Sequence, residues 1–128
     1  MERRTIILLV EDEPQQREVL EMLFASEGYE VVGVASAEEA LVRIKETRPD
    51  MIVTDVKLLE MDGFTLYEAI LDAEEFRATP FVFITGYTDP KAVERVTRLG
   101  AVAYVMKPYN LDDLLRVVKG IHPSTRPV

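Results

Sequence analysis

The stretch Thr5-Ile6-Ile7-Leu8-Leu9-Val10-Glu11-Asp12-Glu13-Pro14 passes from apolar to acidic in a single step. Thr5-Val10 is rich in β-branched residues and does not alternate apolar with polar side chains, so it reads as a strand buried on both faces. The acids that end it precede a proline, a combination that favours a helix N-terminus. A doubly buried strand that leads straight into a helix is how a parallel sheet covered by helices begins. Arg3-Arg4 ahead of the run superficially suggests a secretion signal, but Glu11-Asp12-Glu13 stops the apolar run too early.

Working outward, four further runs have strand length and β-branched content: Glu30-Ala35, Met51-Thr54, Pro80-Ile84 and Val102-Met106. Helical patterns lie between them. Ala37, Ala40, Leu41 and Ile44 fall at i, i+3, i+4 and i+7, as do Leu111, Leu114, Leu115 and Val118, and each set makes one apolar stripe. Ser36 with Glu39 forms a capping box, Asp89-Pro90 sets a cap before a first-turn proline, and Asn110 precedes Asp112 and Asp113. Gly28 and Gly100 suit helix ends. The fourth predicted helix, Pro90 to Leu99, carries Ala92, Val93, Val96 and Leu99 among Lys91, Glu94, Arg95 and Arg98, a narrower stripe than its neighbours have. Strand and helix thus alternate five times, which predicts an α/β fold: a doubly wound (βα)5 parallel five-stranded sheet with right-handed crossovers.

The 128 residues match one domain of ordinary size. Residues 1-120 are expected to fold as that domain, and 121-128, which lose periodicity and gain proline, read as a C-terminal tail or the start of a linker. The 15 basic and 23 acidic side chains give a formal charge of -8, so direct nucleic-acid binding by this domain is not expected. With no cysteine and one histidine, His122, neither a thiolate nor a histidine-rich metal centre can form. Any metal must be held by oxygen. No apolar stretch approaches the roughly 20 residues that span a bilayer, so no membrane association and a cytoplasmic location are expected.

In an open parallel sheet ligands bind beyond the carboxyl ends of the strands. Those positions hold Glu11-Asp12 after the first strand, Asp55 after the third, Thr85-Gly86 after the fourth and Lys107-Pro108 after the fifth. Singly, each has a plain structural explanation: a helix start, a turn, a local backbone bond, a solvated lysine. Together they bring acids, a hydroxyl and an ammonium to one rim, which is a coherent site.

At this point the sequence closely resembles the receiver family of two-component signalling, to which the chemotaxis response regulator belongs. The resemblance spans roughly residues 5 to 120. It is carried by Leu9-Val10-Glu11-Asp12-Glu13, Asp50-Met51-Ile52-Val53-Thr54-Asp55, Met61-Asp62-Gly63, Thr85-Gly86 and Gly100-Ala101-Val102-Ala103-Tyr104-Val105-Met106-Lys107-Pro108. It implies a flavodoxin-like sheet with strand order 2-1-3-4-5. It implies that Asp55 accepts a phosphoryl group from the phosphohistidine of a histidine kinase or histidine phosphotransfer protein. Mg²⁺ is the implied cofactor, held by Asp12, Asp55 and the Lys57 backbone carbonyl, with Glu11 assisting through water. Lys107 is implied to neutralise phosphoryl charge, Thr85 to bond a phosphoryl oxygen after transfer, and Tyr104 to turn inward as the switch aromatic. For Tyr104, an amphipathic tyrosine on a peripheral strand is the plain alternative. A cis Lys107-Pro108 bond is also implied.

The physical chemistry agrees with those roles. Mg²⁺ prefers oxygen ligands and typically combines one or two carboxylates with phosphoryl oxygens and waters. An ionised carboxylate needs no general base to act as a nucleophile. The resemblance further implies a signalling switch, not an enzyme, that catalyses its own phosphorylation and dephosphorylation. Its output is expected through the face made by the fourth helix, fifth strand and fifth helix, which docks a downstream output domain or protein and is also where a homodimer would form.

The chain departs from the family where many members read Met-Pro and it has Leu58-Leu59, which puts the geometry of that loop in question. Lys57 and Tyr87 occupy positions that tune dephosphorylation in the family. Two other classes are weighed and set aside. A flavin-binding module would want a phosphate cradle where Glu11-Asp12-Glu13 repels phosphate. A dehalogenase-like phosphatase would want an acid where Lys57 stands. A receiver-like module that no longer cycles phosphate is the nearer rival.

Overall fold

The computed structural model describes residues 4–58, 61–86 and 103–121, together with the single positions Lys91, Glu94, Arg95 and Arg98. The chain runs β1 (Ile6–Val10), α1 (Pro14–Ser26), β2 (Glu30–Val34), α2 (Ala37–Thr47), β3 (Met51–Asp55), α3 (Gly63–Asp72), a 3-10 turn (Glu74–Phe76), β4 (Phe81–Gly86), β5 (Ala103–Lys107) and α4 (Leu111–Lys119). The four single positions are helical and fall within the fourth predicted helix. Ala92, Val93, Val96 and Leu99 of its stripe, like Leu59, Tyr87, Asp89, Pro90, Gly100, Val102 and residues 122–128, lie outside the described residues.

The five strands form one sheet in the order β2-β1-β3-β4-β5, every neighbouring pair parallel. β3 is buried at all five positions, as a central strand covered on both faces must be. Alternation along the strands divides the core in two. Leu8, Val10, Ile52, Phe81 and Phe83 face α2 and α3. Ile7, Leu9, Val53, Ile84 and Val105 face α1 and α4.

The helix starts form for local reasons. Glu13 accepts the N–H groups of Gln15 and Gln16 at 3.3 and 2.8 Å, and Asn110 accepts that of Asp112 at 2.7 Å. Ser36 accepts the Glu39 N–H at 3.0 Å, while the Glu39 carboxylate reaches one residue further back than in the standard box, to the Ala35 N–H. After α1, Gly28 adopts φ +93°, the left-handed conformation that spares glycine a steric cost.

Three strands run one or two residues past their predicted ends, to Asp55, Gly86 and Lys107. The apolar pattern stops at those points, but ladder hydrogen bonding does not. The Val56 N–H still donates to the Ile84 carbonyl at 2.9 Å. At the other end, Ile121, the first residue of the expected tail, is buried in the core between sheet and α4. Among the described residues no helix is long and apolar enough to cross a membrane.

Candidate functional site

β1, β3, β4 and β5 are successive neighbours, with Val10 level with Thr54, Asp55 with Ile84, and Gly86 with Lys107. Glu11, whose N–H continues the ladder to the Val34 carbonyl, Asp55, Thr85 and Lys107 therefore close four adjacent strands on one rim. By alternation, Glu11, Asp55 and Lys107 continue the set Leu9, Val53 and Val105 on the α1/α4 side. Thr85 continues the set Phe81 and Phe83 on the α3 side, where Phe83 is level with Tyr104. Asp50, quoted with the same motif, lies at the opposite end of β3, where its carboxylate accepts the Ile6 N–H at 2.8 Å. It belongs to the scaffold.

Asp55 is 5% exposed and holds two donors. The Lys107 ammonium donates to Oδ2 at 2.5 Å, and the Lys57 N–H donates to Oδ1 at 3.0 Å. Burial works to lower the Lys107 pKa, but the hydrogen bond and charge of Asp55, with Glu11 behind it, outweigh this and raise it. Glu11 is also buried, and its carboxylate accepts the Glu13 N–H at 3.0 Å. Burial pushes its carboxyl up to about 7, with the negative charge of Asp55 and a hydrogen bond with Asp12 adding to the rise, against the Glu13 N–H and Lys107. Asp12 is half-buried in the turn before α1. Thr85 is buried in β4, Tyr104 is 40% exposed on β5, and the Lys107-Pro108 bond is cis.

Gly63 backs Asp55. Its N–H donates to the Val56 carbonyl at 2.8 Å, and a Cβ at this position would lie 2.6 Å from the Asp55 carbonyl oxygen and 3.2 Å from the Val56 Cα. Only a residue without a side chain lets α3 approach so closely. Asp62 starts that helix by accepting the Thr65 N–H at 2.8 Å. Gly63→Ala should therefore displace the backbone that carries Asp55, costing about 1–3 kcal/mol in urea denaturation.

A family model for the response regulator receiver domain matches residues 7–119. The chain belongs to that family. Among curated relatives, the receiver is 33% identical over 114 residues to the transcriptional regulatory protein PdtaR of Mycobacterium tuberculosis, a match covering 88% of this chain and 54% of PdtaR. It thus spans about half the length of that relative. Among solved structures, a response regulator from Chloroflexus aurantiacus superposes with a TM-score of 0.86 at 32% identity, covering 92% of this chain and 97% of that one. The non-phosphorylated HemR receiver domain from Leptospira biflexa gives 0.86 at 30% identity, covering 98% and 99%. The chain is a receiver domain of two-component response regulators, with the flavodoxin-like strand order.

The receiver's rim also contains groups that sequence patterns did not single out. The Gln16 side-chain amide donates to the Tyr109 hydroxyl, and the Arg17 guanidinium donates to the Glu11 carbonyl at 2.9 Å. The one available signal was position: Tyr109 follows Lys107 by two residues, and Gln16 and Arg17 follow the acids. Among the described residues no group of three or more Asp, Glu, His or Cys side chains is arranged to hold a metal ion. Asp55 is turned to Lys107 and the Lys57 N–H, and Glu11 to the Glu13 N–H.

Proposed function

We propose that the domain accepts a phosphoryl group on Asp55 from the phosphohistidine of a histidine kinase or histidine phosphotransfer protein. The observation that carries this reading is the buried Asp55 carboxylate, held at the carboxyl edge of the sheet between the Lys107 ammonium and the Lys57 N–H. An Asp55 carboxylate oxygen forms the new bond to phosphorus while the bond from phosphorus to the donor nitrogen breaks, its electron pair leaving with the imidazole. Lys107 then shifts its ammonium from the carboxylate to a phosphoryl oxygen, and Thr85 offers its hydroxyl to another.

The donor set of carboxylates and a backbone carbonyl suits Mg²⁺, which takes a few oxygen ligands from protein and keeps several waters. Asp12, Asp55 and the Lys57 carbonyl would hold it, with Glu11 assisting through water. When bound, the ion supplies charge neutralisation for the crowded oxygens.

Output then passes through the β5 edge of the sheet and the start of α4, where Tyr104 and Met106, and Leu111, stay exposed at 40%, 42% and 39%. Exposed apolar side chains of this kind suit a downstream protein, an output domain or a second copy of the receiver. Phosphorylation shifts a pre-existing equilibrium toward the docking form, with Thr85 and Tyr104 as the moving parts. The domain works as a cytoplasmic switch, not as an enzyme with a separate substrate.

Incubation with acetyl phosphate and Mg²⁺ tests the reading. Intact mass should rise by about 80 Da, one phosphoryl group, and Asp55→Asn should abolish the gain. No gain from acetyl phosphate, phosphoramidate or a phosphorylated histidine donor would establish the inert receiver-like module instead.

A further inference from the structure

The two chain segments that meet at Asp55 are far apart in sequence and joined by an unusual contact. The acids Glu11 and Asp12 sit in the turn between β1 and α1, and Lys107 closes β5. Gln16 lies in the first turn of α1, where its own N–H is fixed on the Glu13 carboxylate at 2.8 Å. Its side-chain amide crosses to the hydroxyl of Tyr109, 93 residues along the chain. The next residue, Arg17, grips the acid turn by donating to the Glu11 carbonyl at 2.9 Å. The opening of α1 therefore holds the acids with one side chain and the lysine-bearing segment with the other.

We propose that Gln16 and Tyr109 form a positioning brace that sets the separation between the Glu11-Asp12 turn and the Lys107 end of β5. This deepens the phosphoacceptor reading and rests on it. The Tyr109 ring is half-buried and packs against the core on the α1/α4 side, so apolar contact anchors the ring while its hydroxyl reaches Gln16. That hydroxyl lies within the electrostatic reach of Lys107, Glu11 and Asp55. Ring and hydroxyl thus have separable roles: the ring contributes to folding, the hydroxyl to alignment. Alignment matters because in-line transfer is sensitive to small misplacements of the groups that surround the reacting atoms.

Tyr109→Phe removes the hydroxyl and keeps the ring; Gln16→Ala removes the other partner at a position where alanine suits a helix. Phosphorylation of wild type, each single variant and the double variant is followed against acetyl phosphate concentration at saturating Mg²⁺. Each single variant should lose about three- to tenfold in limiting rate, the value of one net hydrogen bond. The half-saturating donor concentration should not move, and the urea midpoint should fall by no more than the same single hydrogen bond is worth. The double variant should lose no more than the larger single loss, because both changes remove the same contact. A Tyr109→Phe rate equal to wild type, or losses that multiply in the double variant, would overturn the brace. A wild-type chain that gains no phosphoryl mass would instead overturn the phosphoacceptor reading beneath it.

Discussion

Phe83→Ala should cost about 3–5 kcal/mol of folding stability, read as a fall in the urea midpoint at unchanged slope. Phe83 is fully buried in the middle of β4. Its ring centroid lies 5.3 Å from that of Phe64, 5.7 Å from Tyr67 and 5.6 Å from Phe81. Phe64 and Tyr67 belong to α3, so the ring is where the sheet and that helix lock together. Truncation loses the transfer free energy of the ring and leaves a cavity, since neighbours drawn from two rigid elements cannot collapse into it. Phe83→Leu, which refills most of the space, should recover much of the loss. A cost below about 1 kcal/mol for the alanine variant would mean that α3 is not locked to the sheet here.

The same cluster touches function. Phe64 follows Gly63, whose close approach backs Asp55, and the Arg95 guanidinium lies 4.6 Å over the Phe64 ring while donating to Glu68 at 2.9 Å. One aromatic layer thus joins the helix behind Asp55 to a helical position beyond Thr85. The exposed ion pair contributes little by itself. The stability of the layer comes from the buried rings.

Much of this was legible from the chain alone, for reasons that differ by element. β1 and β3 announce themselves because a strand covered on both faces has no polar positions to interrupt it. α2 and α4 show clean stripes and side-chain caps at Ser36 and Asn110. α1 is blurred, because Val19 and Met22 are exposed while Leu20 and Phe24 are buried, so apolar residues mark both faces. The end of α2 carried no glycine signal: Arg48 takes the left-handed conformation there, at φ 47°. The rim residues were legible because strand ends in a parallel sheet converge. What they touch was not. Nothing in Gln16 or Tyr109 as residue types names a partner 93 positions away. Nothing in Met61-Asp62-Gly63 says that the glycine presses on the backbone of Asp55. The family resemblance likewise implied Asp12 and Asp55 as metal ligands, with Glu11 assisting through water, without revealing that Asp55 and Glu11 are already turned to donors of the protein.

Mg²⁺ affinity should climb as pH rises through about 7, by up to roughly tenfold per pH unit on the acid side. Glu11 sets that window, its carboxyl raised from 4.5 to about 7 first by burial and then by the charge of Asp55. A group raised in this way stabilises the cation-free fold below its unfolded value of 4.5. That contribution fades as pH climbs through 7 and the buried carboxylate is forced to ionise. A divalent cation prefers the ionised form, so the two trends oppose each other: the cation-free domain loses stability from this group over pH 4.5–7, while the stabilisation gained on adding Mg²⁺ grows. Titration calorimetry between pH 5.5 and 8.5 would read the affinity, and buffers of different ionisation enthalpy would read the released proton. Glu11→Gln should flatten the profile and abolish most of the proton release. A wild-type affinity that stays flat or falls with rising pH would remove Glu11 from the cation site.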